Sequence, residues 1–219
     1  MQFRISLKEQ ELAGYLVSQL NSFFPSKPLV CIKDLLKLQS LALNKLEFCF
    51  SKINIKYFCD GKTSIFNHLN GDQYSMYLYL MSYLAYKDLN NSELASKIYL
   101  LNKSLHGIDA FYEVELPNIF LFIHPLGTVL GRASYSDYLL VYQRCGIGAN
   151  KGFKPSLGKF LTLHPGASIL GRSVTGNNCA VGSDSLVIDK TIKDNTTYIG
   201  NPKNYYLLFK ESDFGVWKI

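Results

Sequence analysis

The chemistry in this chain gathers around one histidine. His124 opens the run His124-Pro125-Leu126-Gly127-Thr128-Val129-Leu130-Gly131 and stands fifteen positions after Asp109. An imidazole titrates near neutrality, so a histidine within hydrogen-bond reach of a hydroxyl is suited to remove its proton. It does so best when a carboxylate on its other ring nitrogen fixes one tautomer. Asp109, Glu113 and Glu115 all lie in the preceding segment and compete for that task. His164 follows Leu163 and reads as a rim or subunit-contact residue, and His68 and His106 as structural. A second concentration is Gly148-Ala149-Asn150-Lys151-Gly152-Phe153-Lys154-Pro155, where small residues permit close backbone approach and lysines supply positive charge.

The elements that must position these residues show in a period of six. Positions 157, 163, 169, 175, 181 and 187 are Leu, Leu, Ile, Thr, Val and Val, and several are followed by Gly. Neither an α-helix nor a flat strand repeats every six residues. Three such units make one triangular coil of a parallel β-helix, each apolar residue pointing into a narrow core. On that scaffold fifteen residues is slightly less than one coil, so Asp109 and His124 fall on adjacent coils, about 5 Å apart along the stack. The period holds from about Leu121 to the turn at Tyr198–Lys203, is preceded by an irregular coil through Ile108 to Ile119, and is interrupted at Gly148–Pro155, which must leave the coil as a loop.

Residues 1–107 read as an α-helical domain, 108–203 as the β-helix, and the aromatic tail 204–219 as packing back on the coils. Ser6 with Glu9 reads as a capping box before the stripe Leu12, Leu16, Val17, Leu20, which Pro25 and Pro28 end. Further helices are expected over Lys33–Leu46, over Tyr74–Tyr86, and from Asn91 to a stop at Gly107. Ile53–Phe58 reads as a strand-like patch.

Composition excludes several classes. The net charge of +6 is mild and its lysines are scattered, with no basic run or recognition motif, so nucleic acid is not an expected partner, whereas an anionic small molecule is compatible. Five irregularly spaced cysteines give neither a disulfide framework nor zinc spacing, and no metal is expected. The first residues lack the apolar run of a signal peptide, and Tyr74–Tyr86 is too short to span a bilayer. A cytoplasmic protein is expected.

The His124–Gly131 run resembles the H-x-x-G-[IV]-V-[IV]-G signature of bacterial serine acetyltransferases. Gln143-Arg144-Cys145-Gly146-Ile147-Gly148 is similar to that family's approach to a glycine-rich loop. Lys154-Pro155-Ser156-Leu157 resembles H-P-x-[IL] with Lys for His, Pro165–Gly171 resembles a G-A-x-I-L-G coil, and Ile199–Lys203 the closing turn. The likeness covers roughly residues 74–203. It implies a helical domain followed by a left-handed β-helix, acetyl-CoA as acyl donor, a homotrimer or dimer of trimers, His124 as general base and Asp109 as its orienting acid. It further implies donor contacts at Gly148, Ala149, Asn150, Lys151, Pro165, Ser183, Gly200 and Lys203, with the N–H near Ala149 facing the oxyanion.

Departures fall on the acceptor side. Ile123 replaces an Asp that contacts the amino acid in the family, Phe153-Lys154 replaces an Arg-His pair that holds the serine carboxylate, and Arg132 replaces a Glu. Asp72 is a further acceptor-binding candidate. The expected activity is therefore O-acetylation of a sugar or surface-glycan hydroxyl, with aromatic residues nearby for stacking. Serine acetylation feeding cysteine synthesis is the alternative, and a non-catalytic scaffold the reading of another class.

Overall fold

The computed structural model describes residues 2–211 and 215–219, and the tail residues Ser212, Asp213 and Phe214 lie outside that set. The chain divides into two compact units, one reaching to His106 with Phe111–Glu113 and Lys218, the other holding Gly107–Ala110 and Val114–Trp217.

Among its described residues the first unit has four helices, α1 (Glu9–Phe23), α2 (Ile32–Phe50), α3 (Gly71–Lys87) and α4 (Ser92–His106), with a three-stranded sheet. The stripe Leu12, Leu16, Leu20 is fully buried as its spacing requires. The cap of α1 is Lys8 rather than Ser6: the Lys8 N–H donates to Glu11 at 2.9 Å, while the Ser6 hydroxyl pairs with His68 Nδ1 at 2.8 Å. Helix α2 starts one residue earlier than expected and runs four residues further, because Cys49 and Phe50 continue its buried face. Ile53–Phe58 is not a strand. The strands are Gln2–Ile5, Cys59–Asp60 and Thr63–Phe66, and the first pairs in parallel with the third across sixty-one residues, a partner no local pattern announces. Asn70 caps α3 by accepting from the Gln73 N–H, and Asn91 caps α4 by accepting from Leu94. Gly107 ends α4 in the left-handed region at φ +64°, where a residue lacking Cβ is least strained.

The second unit is a parallel β-helix with three faces. Asp109–Ala110, Val129–Leu130, Gly146–Gly148, Ser168–Leu170 and Leu186–Ile188 stack on the first face. Phe120–Phe122, Leu139–Val141, Thr162–Leu163, Ala180–Val181 and Thr196–Asn201 stack on the second. Ser134, Ser156, Val174–Thr175 and Thr191–Ile192 stack on the third. Leu157, Leu163, Ile169, Thr175, Val181 and Val187 are all buried, so the six-residue period marks the core. Most corners are turned in the left-handed region, and the columns Gly107, Gly127, Arg144, Gly166, Asp184 and Tyr138, Phe160, Asn178, Asn195 mark two of them.

The tail adds an element that was not expected. Asn204–Phe209 is a strand, antiparallel to the last coil strand and exposed, with the Tyr205 ring stacked on Tyr198 at 4.8 Å. Trp217 does pack, edge-on to Tyr138, which stacks on Phe160 at 4.2 Å.

Candidate functional site

His124 sits where the coil breaks its own rule. Residues paired across the stack show that Val141 to Gly146, Leu163 to Ser168 and Val181 to Leu186 each turn the corner between second and first faces in five residues. Phe122 to Val129 takes seven. The two extra residues form a tight excursion in which Leu126 N–H donates to the His124 carbonyl at 2.7 Å and Thr128 N–H to that of Pro125 at 3.0 Å. His124 has φ +50° and is exposed, while Phe122 before it is buried in the core. A non-glycine residue in that region is uncommon and concentrates at functional sites. Buried Thr128 pins the excursion to the next coil, its hydroxyl donating to the Tyr142 carbonyl at 2.8 Å and accepting from Cys145 N–H.

Asp109 lies on the neighbouring coil at this corner. Its N–H donates to the Thr128 carbonyl at 2.8 Å, it pairs with Val129, and Gly127 N–H bonds the Gly107 carbonyl at 2.9 Å. The half-buried carboxylic residue and the exposed histidine therefore share one corner on consecutive coils. Glu113 groups with the other unit, and Glu115 lies on the irregular segment leading to the second face.

The same corner carries a column. Ile123, Tyr142, His164, Gly182 and Ile199 follow the core residues of the second face, and one position on come His124, Gln143, Pro165, Ser183 and Gly200. With a coil rise of about 4.8 Å, His124 heads a line of Pro165, Ser183 and Gly200 running roughly 20 Å along one edge. Lys203 stands at the far end, in the turn where Asn201 Oδ1 accepts its N–H. Burial pushes the Cys145 thiol up to about 11, so this neighbour of the corner stays protonated and is no nucleophile. The His164 ring is stacked parallel to Tyr142 and is held below its usual pKa by burial and the charge of Lys210, in keeping with a structural rim residue.

The other candidates occupy a different corner, between first and third faces. Gly148 ends its strand, and Asn150 and Phe153 exchange backbone hydrogen bonds at 3.0 Å around Lys151 and Gly152, both at positive φ. The interruption is thus a two-residue hairpin turn rather than a long loop, with Asn150 and Phe153 as its bridge pair. Arg132, one coil before, and Lys151 and Lys154 are exposed here. Arg172, one coil later, stacks its guanidinium 3.6 Å above the Phe153 ring and was not anticipated, although the eighteen-residue period sets it directly after Lys154. Gln143, also unforeseen, holds its side-chain oxygen buried without a partner.

One chain therefore gathers Asp109, His124, Ile123, Pro165, Ser183, Gly200 and Lys203 on one edge, and Gly148, Ala149, Asn150, Lys151, Lys154 and Arg132 on another. The width of the first face, roughly 15–20 Å by strand rise, lies between them. Asp72 belongs to the other unit, in the first turn of α3. Among the described residues no cluster of His, Cys, Asp and Glu is arranged to hold a metal, and no helix is long and apolar enough to cross a membrane.

The fold and this site define a helical unit followed by a left-handed β-helix of the hexapeptide-repeat kind. No family model matches the chain. Its likeness is to serine acetyltransferases. The Synechococcus elongatus serine acetyltransferase is 29% identical over 107 residues, which cover 47% of this chain and 43% of that protein, so the chain spans less than half of that relative's length. Among solved structures, the Neisseria gonorrhoeae serine acetyltransferase superposes with a TM-score of 0.68 at 18% identity, covering 92% of this chain and 79% of that one. The Brucella abortus enzyme gives 0.70 at 17%, covering 93% and 84%. A serine acetyltransferase in complex with CoA gives 0.68 at 17%, covering 90% and 84%.

Proposed function

We propose that this chain is an acetyl-CoA-dependent O-acetyltransferase whose acceptor is serine. The observation that carries the reading is the seven-residue corner: it lifts His124 from an otherwise regular edge, with Asp109 on the adjacent coil. His124 takes the proton of the acceptor hydroxyl as its oxygen attacks the thioester carbonyl. The tetrahedral intermediate collapses by breaking the C–S bond, and the imidazolium returns its proton to the departing thiolate. Asp109 orients the imidazole. No acyl-enzyme forms, in keeping with the protonated Cys145.

Pro165, Ser183 and Gly200 line the path of the pantetheine arm, whose amides recur at about the coil spacing. The Ala149 N–H faces the oxyanion, and Lys151 with Lys203 meets phosphate charge. Since these groups lie on two edges of one chain, a cyclic trimer completes each site by bringing one copy's hairpin edge to its neighbour's His124 edge. Acetyl-CoA is an intracellular metabolite, which favours a cytoplasmic setting.

The sugar acceptor first expected, and the polysaccharide role attached to it, yields to serine because the relatives named above are serine acetyltransferases throughout. Arg132 and Lys154 also leave two cations where a carboxylate-bearing acceptor would dock. The loss of family acids at Ile123 and Arg132 favours the sugar as second reading, because both changes remove partners for an ammonium group.

The test is thiol release from acetyl-CoA with serine, then with a panel of sugars. Release with serine supports the first reading, and release with a sugar alone moves the acceptor to the second. No release and no CoA binding by calorimetry overturns both and leaves a scaffold.

A further inference from the structure

We propose that Cys59 and Lys218 are a redox-coupled pair: peroxide oxidises the Cys59 thiol, and the Lys218 side-chain nitrogen then bonds its sulfur, a sulfenamide cross-link that a thiol reductant reopens.

The two side chains already stand at reacting distance. The Lys218 ammonium donates to Cys59 Sγ at 3.1 Å and to the Gly61 carbonyl, also at 3.1 Å. Cys59 Sγ lies 3.6 Å from that same carbonyl, so nitrogen, sulfur and oxygen form a closed triangle. Both partners are also held from outside it. Cys59 pairs with Ser64 across the hairpin whose two-residue turn is Gly61-Lys62, and its N–H donates to the Ile55 carbonyl at 2.9 Å. The Lys218 N–H donates to the Lys52 carbonyl at 2.8 Å. Lys52, Cys59, Gly61 and Lys218 all belong to the first unit. Groups held about 3–3.5 Å apart react as though at very high local concentration, so the neighbouring amine outruns a dissolved competitor.

Access and surroundings set Cys59 apart from the other buried thiols. It keeps 5% exposure, whereas Cys49 and Cys145 keep 1% and Cys179 0%. The Cys145 and Cys179 thiols donate to carbonyl oxygens, those of His164 at 3.2 Å and Lys193 at 3.1 Å, which cannot capture an oxidised sulfur as an amine does. In the first step the Cys59 sulfur attacks one peroxide oxygen. The O–O bond breaks, and the departing hydroxide leaves with the thiol proton as water. Sulfur is oxidised by two electrons to the sulfenic acid, and the peroxide is reduced. In the second step Lys218 Nζ, its extra ammonium proton released to solvent, attacks that sulfur. The S–O bond breaks, and hydroxide leaves with a proton from the nitrogen as a second water. Condensation of a sulfenic acid with nitrogen is one of the reversible branches of cysteine oxidation. The bond joins positions 159 apart in the chain.

Intact-mass spectrometry after one equivalent of hydrogen peroxide reads the link without recourse to acetyl transfer. The exposed Cys31 is first changed to Ser so that it does not consume the oxidant. The folded chain should then lose two hydrogens and gain no oxygen, and trypsin should no longer cut after Lys218. Dithiothreitol should restore both the mass and the cut. Lys218→Arg keeps the positive charge, but its delocalised guanidinium is a poor nucleophile; the link should vanish and Cys59 should gain oxygen instead. Cys59→Ser should abolish the link as well. Three results overturn the proposal: an unchanged mass, oxygen gained at Cys59 with Lys218 still cut, or the same loss of two hydrogens in the Lys218→Arg chain, which marks a disulfide between cysteines.

Discussion

The spacing between coils is most sharply probed at Gly158. A Cβ built there lies 2.2 Å from the Gly176 carbonyl oxygen and 2.5 Å from its carbon, all backbone on the next coil. Gly158→Ala must open the two coils locally by about 1 Å to restore ordinary contact. The neighbouring rungs are Gly158 N–H to Thr175 O at 3.1 Å, Thr175 N–H to Ser156 O at 2.9 Å, and Asn178 N–H to Lys159 O at 2.8 Å. Stretched by that amount they cease to be hydrogen bonds. At about 1 kcal/mol each the loss is about 3 kcal/mol, offset by about 0.5–1 kcal/mol from the stiffer unfolded chain, for a net of about 2–2.5 kcal/mol. For a chain of this size the midpoint of thermal unfolding falls by about 5–10 °C. Fluorescence of the single tryptophan, Trp217, follows this unit because the ring is buried against Tyr138. The internal control is Gly148→Ala, whose Cβ meets nothing nearer than the Leu170 side chain at 3.9 Å and which should shift stability by less than about 0.5 kcal/mol. Equal stability of the Gly158→Ala chain and wild type, or equal loss at both glycines, refutes the backbone-contact account.

His124→Ala should lower acetyl-transfer turnover by about 10²–10⁴-fold with little change in donor affinity; turnover near wild type in steady-state assays removes His124 as the base. Mixing His124→Ala chains with Ala149→Pro chains, each inactive alone, should regenerate about a quarter of the wild-type sites in a cyclic trimer, and no recovery places both edges in one subunit's site. Gln143→Met removes a buried, unpartnered carbonyl and should stabilise the fold by about 1 kcal/mol in urea unfolding; a loss of that size shows that the oxygen is satisfied in solution. Burial pushes His106 down to about 4, against about 6.5 unfolded, so its contribution is complete above pH 6.5 and is lost as pH falls from 6.5 toward 4. The cost is about 2 kcal/mol by pH 5, measured as the wild-type change in urea midpoint beyond that of His106→Gln, and an identical pH dependence in the two refutes it.

Much of the β-helix was legible because its core is written into one residue in six, each buried by the same geometry. His124 was legible by motif, but the two extra residues that lift it out of line show only once Phe122 and Val129 are paired across coils. Arg172 and the buried side chain of Gln143 are not legible as site residues because nothing in their residue types departs from an ordinary corner; only their columns single them out. In the helical unit the parallel partnership of Gln2–Ile5 with Thr63–Phe66 is nonlocal, so Ile53–Phe58, with better strand composition, was preferred. The aromatic tail reads as packing back on the coils because its residues are apolar, whereas Asn204–Phe209 adds an exposed edge strand to the last coil.

The hairpin at Lys151–Gly152 leaves the ladder and returns to it through one pair of reciprocal hydrogen bonds, so its length is uncoupled from the coil count. The paired residues on either side, Gly146 with Ser168 and Leu140 with Thr162, are twenty-two apart where an undisturbed coil needs eighteen, and the stack absorbs all four surplus residues at this point. Descendants of this chain are free to lengthen, shorten or replace that tip while every rung above and below keeps its register. Whatever the hairpin grips can therefore be retuned by insertion or deletion, as the paired rungs on either side of it cannot be.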